Sequence, residues 1–186
     1  PVMVLAFGVS LVAGFGFGPT YAFVPKLDAA LTAKGIDARV IDAGVSGDTT
    51  AGGRARIDWS LADDPDVALL ELGGNDGLRG IDPNETFANL DAILTALAAA
   101  EVPTLFAGML APPNLGADYE RDFNAVFPAL AEKHGVAFYP FFLDGVAADP
   151  ALNQPDMIHP NAEGVDVIVS RVAPLIAEVI RARASE

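Results

Sequence analysis

Short apolar runs alternate with longer amphipathic stretches along this chain. The runs Val2–Phe7, Ala38–Asp42, Val67–Leu72, Thr104–Met109 and Ala137–Tyr139 carry many β-branched and aromatic residues, which predicts strands. Between them, apolar residues recur every three to four positions. That spacing predicts helices over Thr20–Ala33, Thr49–Leu61, Pro83–Ala100, Asp118–Lys133 and Ala162–Ala184. In the third helix, Phe87, Leu90, Ile93 and Leu97 form one apolar stripe. End signals agree with these bounds. Gly35 and Gly135 stand where C-terminal caps are needed, and Thr49 and Asp82 can cap N-termini.

Strands alternating with helices predict a parallel sheet covered on both faces, a three-layer α/β/α sandwich with five strands. The 186 residues contain no repeat, low-complexity tract or linker, so one domain spanning residues 1–186 is expected. Ligands in such folds bind beyond the carboxyl ends of the strands. The segments to inspect are therefore "GVSL" from Gly8, "AGVSGDTT" from Ala43, "GGNDGLRG" from Gly73, "LAPPNLGADY" from Leu110 and "NQPDMIHPNAEG" from Asn153.

Composition narrows the chemistry. With 52% hydrophobic and 19% charged residues the chain can build a sizeable core. No apolar run reaches the ~18 residues of a membrane span. The formal net charge of -14 argues against nucleic acid and against anionic lipid as partners. There is no cysteine, which excludes disulfides, thiolate catalysis and cysteine-bound zinc. The chain opens at Pro1, as a trimmed chain or one that has lost a leader would.

"FGFGP" after the first strand invites a phosphate-loop reading. Gly14, Gly16 and Gly18 do not have the G-x-G-x-x-G spacing, Pro19 stands where the third glycine would be, and no P-loop lysine follows. A nucleophile reading has more to work with. Ser10 ends the first strand, and a serine needs a histidine base oriented by a carboxylate. Of the two histidines, His134 reads as a solvated cation at a helix C-terminus. His159 lies in a proline-bracketed loop three residues after Asp156, and one short loop can present both side chains together. Donors for an oxyanion are available from the Ser10 N–H, from Gly47, which has no side chain to block approach, and from the Asn75 amide. Asn75 also reads as a turn residue, and Ser46 is a rival serine that reads as a turn residue too.

With these residues in hand, the chain resembles the SGNH (GDSL) hydrolase superfamily, nearest to its bacterial thioesterase I, lysophospholipase and arylesterase branch. "FGVSLVAG", "GVSGDTTAGG", "VALLELGGNDGLRG" and "DMIHPNAEG" resemble its four blocks in order, nearly end to end. The resemblance implies a flavodoxin-like fold and two-step ester hydrolysis through an acyl-serine, with no metal or organic cofactor. It implies Ser10 as nucleophile, His159 as general base and then acid, and Asp156 as its orienting carboxylate. The Ser10 N–H, Gly47 and Asn75 would form the oxyanion hole. Exported relatives imply a periplasmic or secreted protein. Small-molecule esters are the expected partners.

One position departs from the family pattern. Val9 stands where the G-D-S-L block has aspartate, a residue that holds neighbouring loop backbone. Donors it would satisfy need another partner, at a cost of ~1–3 kcal/mol each if buried. A compensating partner, an engineered substitution or a low-activity or non-catalytic member would each fit, and Val9→Asp is expected to raise kcat. Leu78, Leu110, Pro112, Pro113, Leu115 and Ile158 can line an acyl pocket or merely pack their own loops; Phe15 and Phe17 lie near the nucleophile. Without a lid, short- to medium-chain acyl or aryl esters and acyl thioesters are the expected substrates. Arg79 could draw an anionic one. A carbohydrate O-deacetylase, with stacked aromatics, and a flavin or nucleotide binder on the same fold are the alternatives.

Overall fold

The computed structural model describes residues 1–9 and 22–185. Ser10, Phe15 and Phe17 lie outside the described residues. Among those described, β1 (Val2–Gly8), β2 (Ala38–Gly44), β3 (Val67–Glu71), β4 (Thr104–Ala107) and β5 (Ala137–Tyr139) form one sheet. All neighbours are parallel, in the order β2-β1-β3-β4-β5. This is the flavodoxin-like order, whose switch point falls between β1 and β3.

Helix α1 (Phe23–Ala33) packs with α6 (Ala162–Arg183). Helices α2 (Thr50–Leu61), α4 (Pro83–Ala99) and α5 (Ala117–His134) pack together. The result is the expected three-layer α/β/α sandwich. The central strands β1, β3 and β4 are buried and nearly all apolar because helices cover both faces. The outer strands differ. β2 carries Arg39 and Asp42 and β5 has only three residues, both devices that discourage pairing at an edge.

The expected elements occur within a few residues of their sequence bounds. Thr49 accepts from Gly52 N and caps α2, and Asp82 accepts from Asn84 N and caps α4. Leu90, Ile93 and Leu97 are buried, with Phe87 packed at the margin. Two elements lack sequence forewarning: the single-turn helix α3 (Gly74–Leu78) and a 3-10 turn at Pro113–Leu115. Both are too short for periodicity to register. His134 is not solvated as expected. Its side chain is largely covered, and its Nε2 lies 2.7 Å from Asp91 Oδ1. Asp91 also pairs with Lys133, which with His134 holds its carboxyl below the usual range.

Candidate active site

Val9 at the end of β1 and the loops after β3 and β4 meet the last loop around one cleft. That loop is built around an antiparallel bridge between Asn153 and Pro160. Gln154 N donates to His159 O at 2.7 Å, and Met157 N to Gln154 O at 2.9 Å. Buried Asn153 ties the loop down through its amide, which donates to the carbonyls of Val146 and Asp149. Asn161 then caps α6 by accepting from Gly164 N.

Between these anchors the chain turns tightly, with Met157 in the left-handed region at φ 59°. The turn brings Asp156 Oδ2 within 2.6 Å of His159 Nδ1. Asp156 Oδ1 meanwhile accepts from Ile158 N at 2.9 Å and His159 N at 3.0 Å. Three donors favour the carboxylate. The His159 backbone N–H, the His159 ring and the Ile158 N–H together hold the Asp156 carboxyl down to about 2. With Nδ1–H bound to this carboxylate, the lone pair of His159 sits on Nε2.

Gly47 and Asn75 come from the loops after β2 and β3. Gly47 adopts φ 76°, a conformation that favours glycine. Asn75 Nδ2 donates to Asp48 O at 2.9 Å, which joins the two loops and leaves the second amide hydrogen for a ligand. Behind Asn75 lies Asp76, fully buried. It accepts from Thr50 N, Thr50 Oγ1 and Thr86 Oγ1 and so fixes α3 against the starts of α2 and α4. Ser46 is an exposed residue of the turn closed by Asp48 N and Val45 O.

Sequence reasoning missed a second group of polar residues under the site. Arg56 of α2 donates to Gly8 O at 3.0 Å, Ala43 O at 2.7 Å and Asp48 Oδ2 at 2.8 Å, and its guanidinium stacks on Phe7 at 4.0 Å. The same Asp48 accepts from Thr49 N. Gly52 makes room for this carboxylate, since a Cβ there would stand 1.8 Å from Asp48 Oδ1. Glu71, the last residue of β3, accepts from Val9 N at 3.2 Å. Burial pushes the Glu71 carboxyl up to about 8, opposed by the Val9 N–H. The donors near Val9 therefore have partners of their own: Val9 N on Glu71, Thr49 N on Asp48 and Thr50 N on Asp76. A polar residue ending the otherwise apolar run "VALLE" is the signal that could have drawn attention to Glu71.

A cleft of about 300 Å³ opens beside His159 and Asn75. Leu78, Leu110, Pro112, Pro113 and Ile158 line it as expected; Leu115 does not, and sits beside Gly80 instead. Met109, Ala111, Phe141, Leu143 and Met157 complete an apolar wall, with Val9 and Glu71 also lining it. Ala111 N donates to Asn124 Oδ1 of α5, which fixes the wall that follows β4. Arg79 Nη2 donates to Gly47 O at 2.9 Å, which ties α3's end to the loop after β2.

Residues 6–167 match the model of the GDSL-like lipase/acylhydrolase family. Esterase TesA of Pseudomonas aeruginosa is 36% identical over 177 residues, covering 95% of this chain and 88% of that protein. The thioesterase 1/protease 1/lysophospholipase L1 of Escherichia coli is likewise 36% identical over 177 residues, covering 92% of this chain and 84% of that protein. Among solved structures, AlinE4, an SGNH-hydrolase family esterase, superposes with a TM-score of 0.81 at 48% identity, covering 95% of both chains.

Proposed function

The chain belongs to the GDSL-like lipase/acylhydrolase family and is an acyl ester hydrolase, and on that premise we propose that it hydrolyses short- to medium-chain acyl and aryl esters through an acyl-serine on Ser10. The observation that carries this reading is His159, paired with Asp156 at 2.6 Å and lining the same apolar cleft as Asn75 and as Val9, the residue that precedes Ser10.

The chemistry follows from the roles of these groups. His159 Nε2 takes the Ser10 hydroxyl proton as Oγ bonds to the carbonyl carbon. The carbonyl oxygen becomes an oxyanion, received by the Ser10 N–H, the Gly47 N–H and the second hydrogen of Asn75 Nδ2. Asp156 stays ionised and stabilises the imidazolium. His159 then gives its proton to the leaving alkoxide or phenoxide, and the acyl-serine remains. Water attacks that ester after losing a proton to His159. The collapse of the second tetrahedral intermediate returns the proton to Ser10 and releases the acid.

The cleft supports the substrate class. Its wall is leucine, methionine, proline and isoleucine, with Phe141 as the single aromatic ring among the described lining residues. That favours an acyl chain over the stacked sugar of a deacetylase. Its volume lies at the lower end for ligand pockets, which favours a short chain. Acyl thioesters are the second substrate class, supported by the similarity to the Escherichia coli thioesterase 1. Among the described residues no helix is long and apolar enough to cross a membrane.

A series of p-nitrophenyl esters of increasing acyl length tests the reading. Each methylene buried in the cleft contributes about 0.8 kcal/mol, so kcat/KM should rise about fourfold per carbon and then level off. A flat series, or a preference for acetylated sugars, would refute it.

A further inference from the structure

The polar group of the site with no part in the reaction above is Glu71. It closes β3 in register with Gly8 of β1 and Ala107 of β4, and its side chain is 2% exposed. The other buried acid beside the site, Asp76, has its oxygens occupied by three donors. Among the described residues Glu71 receives one donor, Val9 N, and it lines the apolar cleft. This donor belongs to the Gly8–Val9 peptide, the unit directly before Ser10. The carbonyl end of the same peptide is held by Arg56 Nη2 and by Val45 N. Two side chains from different elements thus clamp one peptide, and the second clamp stands at the edge of the acyl cleft.

We propose that Glu71 is a positioning residue for the reaction, gripping the Val9 N–H to fix the backbone that carries Ser10 while keeping its end of the acyl cleft uncharged. The inference rests on the acyl-serine reading above. Its physical basis is the position of the carboxyl. A carboxylate beside an apolar chain and near the developing oxyanion would oppose both. A neutral carboxylic acid accepts the Val9 N–H through its carbonyl oxygen without that penalty, and burial favours this form up to about pH 8.

The charged groups on the surrounding elements do not reverse that preference. Arg56 is engaged with the far end of the Gly8–Val9 peptide and with Asp48. The last loop brings His159 to the same cleft, with Asp156 held on its Nδ1. α3 brings Asp76, satisfied by threonines. The β4 residues, Thr104–Ala107, contribute no ionisable side chain, and α6 packs on the sheet through residues such as Ile168, Val172 and Ile176.

The test compares wild type, Glu71→Gln and Glu71→Leu on one p-nitrophenyl ester across pH, with circular dichroism to confirm folding. Glutamine keeps a carbonyl acceptor and cannot ionise. It should hold kcat/KM within about threefold of wild type at neutral pH and abolish an alkaline decline centred near pH 8 that wild type shows. Leucine leaves the Val9 N–H without its acceptor and should lower kcat about tenfold or more with little change in KM. A Glu71→Leu enzyme with wild-type kcat, or an alkaline limb identical in wild type and Glu71→Gln, would overturn the inference. Should Glu71→Leu not fold, the Glu71→Gln profile decides alone. A wild type with no esterase activity would refute the acyl-serine reading itself, an outcome distinct from either of these.

Discussion

Asn75 and Asp48, 27 residues apart in sequence, are joined by a 2.9 Å hydrogen bond from amide to carbonyl that fixes the loop after β3 against the loop after β2. One amide hydrogen is committed to structure, and the proposed mechanism uses the other on the oxyanion. Asn75→Ala should therefore lower kcat about 10²- to 10³-fold with a small change in KM, the pattern of a lost oxyanion donor. Asn75→Asp keeps the shape, loses both hydrogens and sets a carboxylate against the Asp48 carbonyl, so it should be at least as damaging. Steady-state kinetics on one ester checks both; a change confined to KM would contradict the role.

Asp156 does two jobs that substitutions can separate. Asp156→Asn can keep an acceptor for the Ile158 and His159 backbone N–H groups while losing the carboxylate beside His159 Nδ1. It should melt near the wild-type temperature and lose about 10²- to 10⁴-fold in kcat. Asp156→Ala removes the acceptors as well and should lower both kcat and Tm. Equal melting temperatures for the two variants would show that the loop does not depend on this side chain.

Arg56 is the most connected side chain beneath the site, mostly covered and paired with a mostly covered Asp48. Arg56→Ala strands that carboxylate and removes a donor from Gly8 O and Ala43 O. A loss of about 3 kcal/mol or more in unfolding free energy is expected, together with a fall in kcat. Arg56→Lys keeps the charge but not the fork that reaches three acceptors, and should fall between the two. Urea denaturation measures the first effect; an unchanged midpoint in Arg56→Ala would contradict it.

Stability against pH carries the signature of Glu71. Burial raises its folded-state carboxyl to about 8 from an ordinary value of 4.5. Between those values the folded protein keeps a proton that the unfolded chain has released, so this group makes stability fall as pH rises through that window. Asp156 acts in the opposite sense: held to about 2, it contributes stability above the ordinary aspartate range that is lost as pH falls toward its folded value. Urea midpoints for wild type should drop between about pH 5 and about pH 8 more than those of Glu71→Gln. Parallel curves would show that Glu71 does not titrate as described.

The strands and long helices were legible in the sequence because alternating apolar runs and 3.6-residue stripes are local properties. Asp156 and His159 were legible as a pair because a single tight loop carries both. Asn75 and Gly47 were legible only as types of donor, since their meeting depends on β2 and β3 ending at the same sheet edge. Arg56, Asp48, Asp76 and Glu71 were not legible as a network. Each reads alone as a surface charge or a cap, and only tertiary contact turns them into supports for the chain around Val9. Glu71 shows this most directly: a carboxyl at the end of β3 accepts the N–H of Val9, 62 residues away in sequence.

The central claim is that Ser10 is a nucleophile activated by His159. The most direct measurement is intact mass and adduct mapping after treating the folded protein with a fluorophosphonate. The account predicts one adduct, on Ser10, abolished by His159→Ala. An adduct on Ser46, or none on folded protein, would contradict it.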